Sequence, residues 1–315
     1  MKIDDCVYGS ENIEEPVLID LINSGPLQRL KELNQYGMPD EYYHKRNFSR
    51  YDHSIGVMIL LTRSGAGLEE RIAGLLHDVS HLAFSHVIDW VFGDPTKEDY
   101  QDNKHLNFIE NSVIRNILDR HSYDYKKIAD ITCFSLLEKN IPSLCADRID
   151  YCLRELKKED SDVSLFVSDL INFNRQIVFK NKNIAEKFAN EFLRLQNNHW
   201  AGNQARGRYF ILSRILKRAI DNNFIYFSDL YMTDQKVIDK LKKSKDDSII
   251  NNLNLLRNKL IIEEVDRGGV LLKKKFRYVD PEILVDDSVR KLSEVSECFL
   301  EFLNQEKNNS KIEMR

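Results

Sequence analysis

Apolar positions recur at helical spacing through most of the chain. Leu27, Leu30 and Leu33 step along one face, and Pro26 to Gln35 predicts a helix ending at Gly37. Asn47 to Leu61, Leu68 to Val79, Val87 to Phe92 and a segment resuming at His105 repeat that spacing. Further helices are predicted over Tyr123 to Lys139, Ser143 to Lys158 and Ile184 to Leu195, with charge-rich helical patterns over 234–265. Asn172 to Lys180 reads as a short strand in a hairpin. Residues 1–20 read as a short extended arm, 94–104 as an exposed polar loop, and 307–315 as a disordered tail. Only 12 Gly and 6 Pro punctuate the 315 residues, which favours long helices over a many-turned β fold.

One apolar run is interrupted. In Leu75-Leu76-His77-Asp78-Val79-Ser80-His81-Leu82-Ala83-Phe84-Ser85-His86, the leucines and Val79 belong in a core. An imidazole and a carboxylate do not, unless something satisfies them. A His beside an Asp is ordinarily a hydrogen-bonded pair. Two companions change that reading: Phe48-Ser49-Arg50-Tyr51-Asp52-His53-Ser54-Ile55-Gly56-Val57 upstream, and Leu144-Cys145-Ala146-Asp147-Arg148-Ile149-Asp150-Tyr151 downstream. Each sets a metal-capable side chain into an apolar helical pattern. Mixed imidazole and carboxylate donors suit one divalent ion, with Mn, Mg, Fe, Ni, Co or Zn all open. Arg50 stands one turn before His53, where a guanidinium would clamp a phosphate oxygen; the alternative is a surface salt bridge.

Composition narrows the partners. Lys plus Arg number 46 against 50 Asp plus Glu, a net charge of −4, so no global basic field argues for nucleic acid. The five cysteines, without a C-x-x-C pair, read as reduced thiols in a cytoplasmic protein. No apolar run approaches membrane-spanning length.

The order H…HD…D and the words around it resemble the HD-domain phosphohydrolases, and within them the deoxynucleoside triphosphate triphosphohydrolases. The resemblance covers residues 8–155 and implies an all-α fold: an HD-domain core over 1–160 and a mostly helical extension over 161–306 with a few short strands. It implies a metal set of His53, His77, Asp78 and Asp147. His81, His86 and His105 would stabilise phosphate charge or protonate the leaving oxygen. Gln35, Arg50, Arg148, Tyr151 and Glu155 would meet the substrate, a nucleotide or other phosphorylated small molecule. Homo-oligomers are common among such proteins, so one is expected here by analogy. Two positions depart from the family: Tyr36 stands where Leu is usual, and Ile109 replaces a His before Glu110, so His105 is expected to fill that role. Asp150 with Arg154 reads as a structural pair one turn apart. Arg206 or Arg208 could face phosphate, although a solvated basic face is the simpler reading. The run Lys273-Lys274-Lys275-Phe276-Arg277 reads first as a solvated face, then as an edge strand, partner contact or anionic-effector contact. A nucleotide monophosphatase, another phosphoesterase, a non-catalytic nucleotide-binding module and a guanosine tetraphosphate hydrolase are the rival readings.

Overall fold

The computed structural model describes residues 1–261 and 276–313. The chain starts as an antiparallel hairpin, β1 (Lys2–Asp5) and β2 (Gly9–Asn12), with Lys2 opposite Asn12. Its turn is closed by Asp5, whose Oδ1 accepts from the amides of Val7 and Tyr8, each at 2.9 Å. Helices α1 (Pro16–Ile22) and α2 (Gly25–Arg29) follow, and α2 runs into a 3-10 turn over Leu30–Glu32. The helix expected to reach Gln35 therefore stops early. Strand-like bonds replace it: the Gln35 amide donates to the Phe48 carbonyl and the Arg50 amide to the Leu33 carbonyl, each at 2.9 Å.

Helix α3 (Arg50–Arg63) begins at a capping box between Ser49 and Asp52, so its first turn presents Arg50 and His53 in a fixed orientation. It packs against α4 (Leu68–Leu76) and, later in the chain, α9 (Ala146–Lys158). Helix α4 ends three residues before the predicted Val79. Tight turns take over, with the Val79 amide on the Leu76 carbonyl and the His81 amide on the Asp78 carbonyl. Between α4 and α9 lie α5 (Val87–Phe92), α6 (Asp102–Glu110), α7 (Val113–Arg120) and α8 (Tyr125–Ala129). The single helix expected over Tyr123–Lys139 is broken because Asp124 and Asp130 each cap a backbone amide two residues on, a local alternative to helix continuation.

The remainder is α10 (Ser164–Asp169), β3 (Leu170–Phe173), β4 (Gln176–Phe179), α11 (Lys182–Leu195), α12 (Asn203–Asp221), α13 (Asp234–Lys243), α14 (Asp247–Leu256), β5 (Glu282–Val285), β6 (Ser288–Lys291), α15 (Leu292–Val295) and α16 (Glu297–Glu313). A π-helical turn, Gln196–Trp200, joins α11 to α12. The expected hairpin around Asn172–Lys180 is β3 with β4, and it belongs to a four-stranded sheet ordered β3-β4-β5-β6. There β4 and β5 run parallel at Phe179↔Ile283, and the other pairs are antiparallel. The fold is all-α with this small sheet. Helix α16 runs through 307–313, where a disordered tail was expected. Phe299 and Leu303 bury its first turns, and once a helix is nucleated each further residue extends it at little cost. Among the described residues no helix is long and apolar enough to cross a membrane. Lys273, Lys274 and Lys275, residues 262–265 of the expected helical stretch, and residues 314–315 of the expected tail lie outside the described residues.

Candidate metal centre and its cleft

His77 follows the last turn of α4, and its Nδ1 lies 2.8 Å from the Gly74 carbonyl. A carbonyl only accepts, so Nδ1 carries the proton and Nε2 presents a lone pair. His53, on α3, is set the same way: its Nδ1–H donates to Oδ2 of Asp150 at 2.7 Å. The two Nε2 atoms face each other at 3.2 Å. Asp147, in the first turn of α9, places Oδ1 at 2.9 Å from His53 Nε2 and 3.6 Å from His77 Nε2. Lone pairs and a carboxylate oxygen aimed at one point repel one another unless a cation lies between them, and this donor chemistry fits a divalent metal ion. Without a metal, the surrounding carboxylates draw positive charge onto the imidazoles instead, the same preference for a cation at this point. Burial opposes charging His53, yet its bonds to Asp147 and Asp150 lift it to about 9. Burial likewise opposes ionising Asp147, and His53 and His77 hold it far below the usual carboxylate range.

Asp78 completes the cluster, 3.7 Å from His77 Nε2 and 4.0 Å from His53 Nε2. Arg50 Nη1 donates to its Oδ2 at 2.6 Å, and His81 Nε2 lies 3.2 Å from its Oδ1. Against its burial, Arg50 holds the Asp78 carboxyl well below its ordinary range. Burial and the neighbouring Arg50 push His81 well down, so it stays neutral.

A buried network fixes this geometry. Asp150 Oδ2 also accepts from Arg154 Nε at 2.7 Å, and Arg154 Nη2 donates to Asp5 Oδ2 at 2.6 Å. The pair lies so close to α3 that a Cβ at Gly56 would stand 1.8 Å from Arg154 Nη2 and 2.1 Å from Asp150 Oδ1. The turn after the His-Asp pair is held from α13: Asp234 accepts from the amides of Phe84 and Asn34, each at 2.8 Å. Phe84 and Ser85 have φ of 68° and 47°, unfavourable for side-chain-bearing residues. Ser85 Oγ there accepts from Arg50 Nε at 2.7 Å.

A cleft of about 570 Å³ opens over the cluster, bordered by Gln35, Arg50, His81, His86, Arg148 and Tyr151 besides the four central side chains. A branch of about 80 Å³ leads between Tyr36, Phe48, Tyr151, Trp200 and Tyr209, with Gln35 and His86 at its junction. Gln35 Oε1 is buried without a hydrogen-bond partner among the described residues.

Three of the expected contact residues are engaged by the protein's own groups. His105 is 5% exposed and does not border the cleft; its Nδ1 meets Ser80 Oγ at 3.0 Å, and burial lowers it to about 4. Helix α6 starts at Asp102, so His105 falls on the turn packed behind the His-Asp segment. Arg148 borders the cleft, but its guanidinium is taken up by Glu138 Oε1 at 2.7 Å and by the carbonyls of Ser143 and Lys139. Glu155 borders the branch, with Oε1 on His199 Nδ1 and Oε2 on Trp200 Nε1. Arg208 donates to the carbonyls of Tyr42 at 2.6 Å and Asn258 at 2.7 Å, far from a phosphate role. Two contributors were not read as site residues. Asp150 was assigned only to Arg154, because spacing along one helix cannot show that α3 delivers His53 to it. Arg277 borders both cleft and branch, paired with Glu98. Its basic run was a visible signal, but nothing local tied that run to the site.

The HD domain family model matches residues 50–167, which carry the whole central cluster. Over 303 residues the chain is 38% identical to the uncharacterized protein YdhJ of Bacillus subtilis, covering 94% of this chain and 93% of that one. It is 37% identical over 153 residues to the metal-dependent phosphohydrolase cns2 of Cordyceps militaris, covering 49% and 44%. It is 28% identical over 185 residues to the deoxynucleoside triphosphate triphosphohydrolase SAMHD1 homolog of Dictyostelium discoideum, covering 49% and 35%, so it spans less than half of each of these last two proteins. The crystal structure of a phosphohydrolase from Bacteroides thetaiotaomicron superposes with a TM-score of 0.68 at 16% identity, over 95% of both chains, a likeness of fold.

Proposed function

The chain belongs to the HD-domain family of metal-dependent phosphohydrolases, and from that premise we propose that its substrate is a nucleotide, with deoxynucleoside triphosphates as the first class to test. The observation that carries this reading is the convergence of His53, His77 and Asp147, from three separate parts of the chain, on one point at the floor of a cleft of about 570 Å³. His53, His77, Asp78 and Asp147 would hold the ion. A divalent ion bound there supplies Lewis acidity to a phosphoryl oxygen and acidifies its water.

The protein's own groups do the rest. Asp150 and Gly74 fix the tautomers of His53 and His77. Arg50 orients Asp78 and places positive charge beside the phosphate side of the cleft. His81 buttresses Asp78. His86, the most exposed of the candidate histidines, stands at the junction of cleft and branch, where it can give a proton to a leaving oxygen. Gln35, with its unpartnered oxygen, and the ring of Tyr151 face the sugar side.

The branch favours a second reading. At about 80 Å³, walled by aromatic rings and with Glu155 bonded to His199 and Trp200, it suits a leaving group smaller than a nucleoside. That would make the protein a phosphomonoesterase of a compact substrate. The two readings separate on one assay: protein loaded in turn with manganese, magnesium, iron, nickel, cobalt or zinc is incubated with deoxynucleoside triphosphates and with compact phosphate monoesters such as glycerol phosphate, and products are resolved chromatographically. Inorganic triphosphate supports the first, orthophosphate from the compact monoesters the second, and no turnover with any of these metals overturns both.

A further inference from the structure

Among the described residues three arginines border the cleft, and two are committed to the protein itself. Arg50 is held by Asp78 and Ser85, and Arg148 by Glu138 and two carbonyls. Arg277 differs. It enters from the C-terminal part of the chain, borders both the metal cleft and the branch, and pairs with the carboxylate of Glu98, which borders both as well. The side chain of Glu98 is 1% exposed, and its backbone sits at φ 53°, in the left-handed region that a glutamate seldom adopts. An anionic side chain buried in the wall of a cleft that must receive an anion works against binding unless it yields.

We propose that Arg277 is the substrate-phosphate ligand of this cleft and that Glu98 is a built-in anion occupying it until substrate arrives. This rests on reading the cleft as a phosphoester site. Binding exchanges one partner of Arg277 for another. A guanidinium pairs bidentately with carboxylate and phosphate alike, so exchange for a singly charged anion gains little. A terminal phosphate, with close to two negative charges at neutral pH, gains from the exchange. The Glu98–Arg277 pair therefore selects phosphomonoesters and polyphosphates over phosphodiesters.

The test uses the full chain loaded with manganese, with calorimetric titration of inorganic phosphate as a dianionic probe and dimethyl phosphate as a monoanionic one. The wild type is expected to bind phosphate and to bind dimethyl phosphate much more weakly. Arg277→Ala should weaken phosphate binding about tenfold or more without changing metal content. Glu98→Gln should act in the opposite direction, tightening phosphate and admitting dimethyl phosphate. A purely structural ion pair would not give opposite signs. If Arg277→Ala does not fold because Glu98 is left buried and unpaired, Glu98→Gln with the double variant Glu98→Gln/Arg277→Ala carries the comparison. Phosphate binding unchanged in Arg277→Ala, or weakened in Glu98→Gln, overturns the proposal and leaves the phosphohydrolase reading standing. A metal-loaded wild type that binds no phosphate overturns both.

Discussion

Asp150 holds His53 from behind: Oδ2 lies 2.7 Å from the Nδ1 of His53 and 2.7 Å from the Nε of Arg154. The carboxylate thus serves two masters, fixing an imidazole tautomer on one side and neutralising a buried guanidinium on the other. Asp150→Asn keeps the shape and removes the charge. Metal affinity is expected to fall about 10–100-fold, as it does when such supporting partners are lost. The melting temperature should fall as well, because Arg154 is only 2% exposed and loses one of its two buried carboxylate partners, keeping only Asp5. Metal analysis after equilibrium dialysis, alongside thermal unfolding, checks both.

Loading the cluster should stabilise the fold. The facing nitrogens of His53 and His77, 3.2 Å apart, lie beside the Asp147 carboxylate and together attract a cation. A ligand that binds only the folded state at about 100 times its Kd adds ~2.7 kcal/mol. Manganese should therefore raise the melting temperature of the wild type and chelator should reverse the shift. His77→Ala should abolish both the shift and turnover. An undiminished shift in that variant would remove His77 from the ligand set.

Gly56 should tolerate no side chain. Its missing Cβ leaves room for Asp150 and Arg154, whose atoms would otherwise stand 2.1 and 1.8 Å away. Gly56→Ala is expected to cost about 3 kcal/mol, the scale of an overpacked core, and to weaken metal binding by displacing Asp150. Gly67→Ala, where no atom lies within 4 Å of the added carbon, is the matched control and should stay near wild type. Urea denaturation of the pair decides it.

His105 should make the protein acid-sensitive. Burial lowers it from 6.5 to about 4, so the folded state holds it neutral while the unfolded chain takes up a proton at 6.5. Folding stability contributed in this way is complete above pH 6.5 and is lost as pH falls toward 4. A shift of this size corresponds to on the order of 3 kcal/mol. His105→Asn should flatten that part of the stability profile, measured by unfolding at pH 7 and pH 5. Its turnover at pH 7, relative to the wild type, separates a packing role from a chemical one.

The central cluster was legible because each of its members sits in a short, distinctive word. His53 precedes the Gly56 that admits its partner, and His77 and Asp78 share one turn. The helices α3, α4 and α9 that carry them are strongly patterned, and only their ends shifted, by the few residues over which caps and tight turns compete with the helix. What could not be read depended on contacts between distant segments. Arg277 reaches the cleft from far along the chain, after helices α10 to α14, and its basic neighbours suggest a solvated face. Arg148 and Glu155 carry the right chemistry at the right spacing. Their partners, Glu138 and His199, lie on other elements and draw both side chains into the framework. His105 was displaced by one boundary: with α6 beginning at Asp102, its turn faces Ser80 and not the cleft.

The link from Asp5 through Arg154 and Asp150 to His53 gives the opening hairpin an unexpected reach. Sequence appended to the first strand, or a protease nick in its turn, would free one end of that relay. The loss would register at the reaction centre as a loosened imidazole before any change in helix content. A batch with a frayed first strand could thus look well folded by circular dichroism and still arrive short of metal.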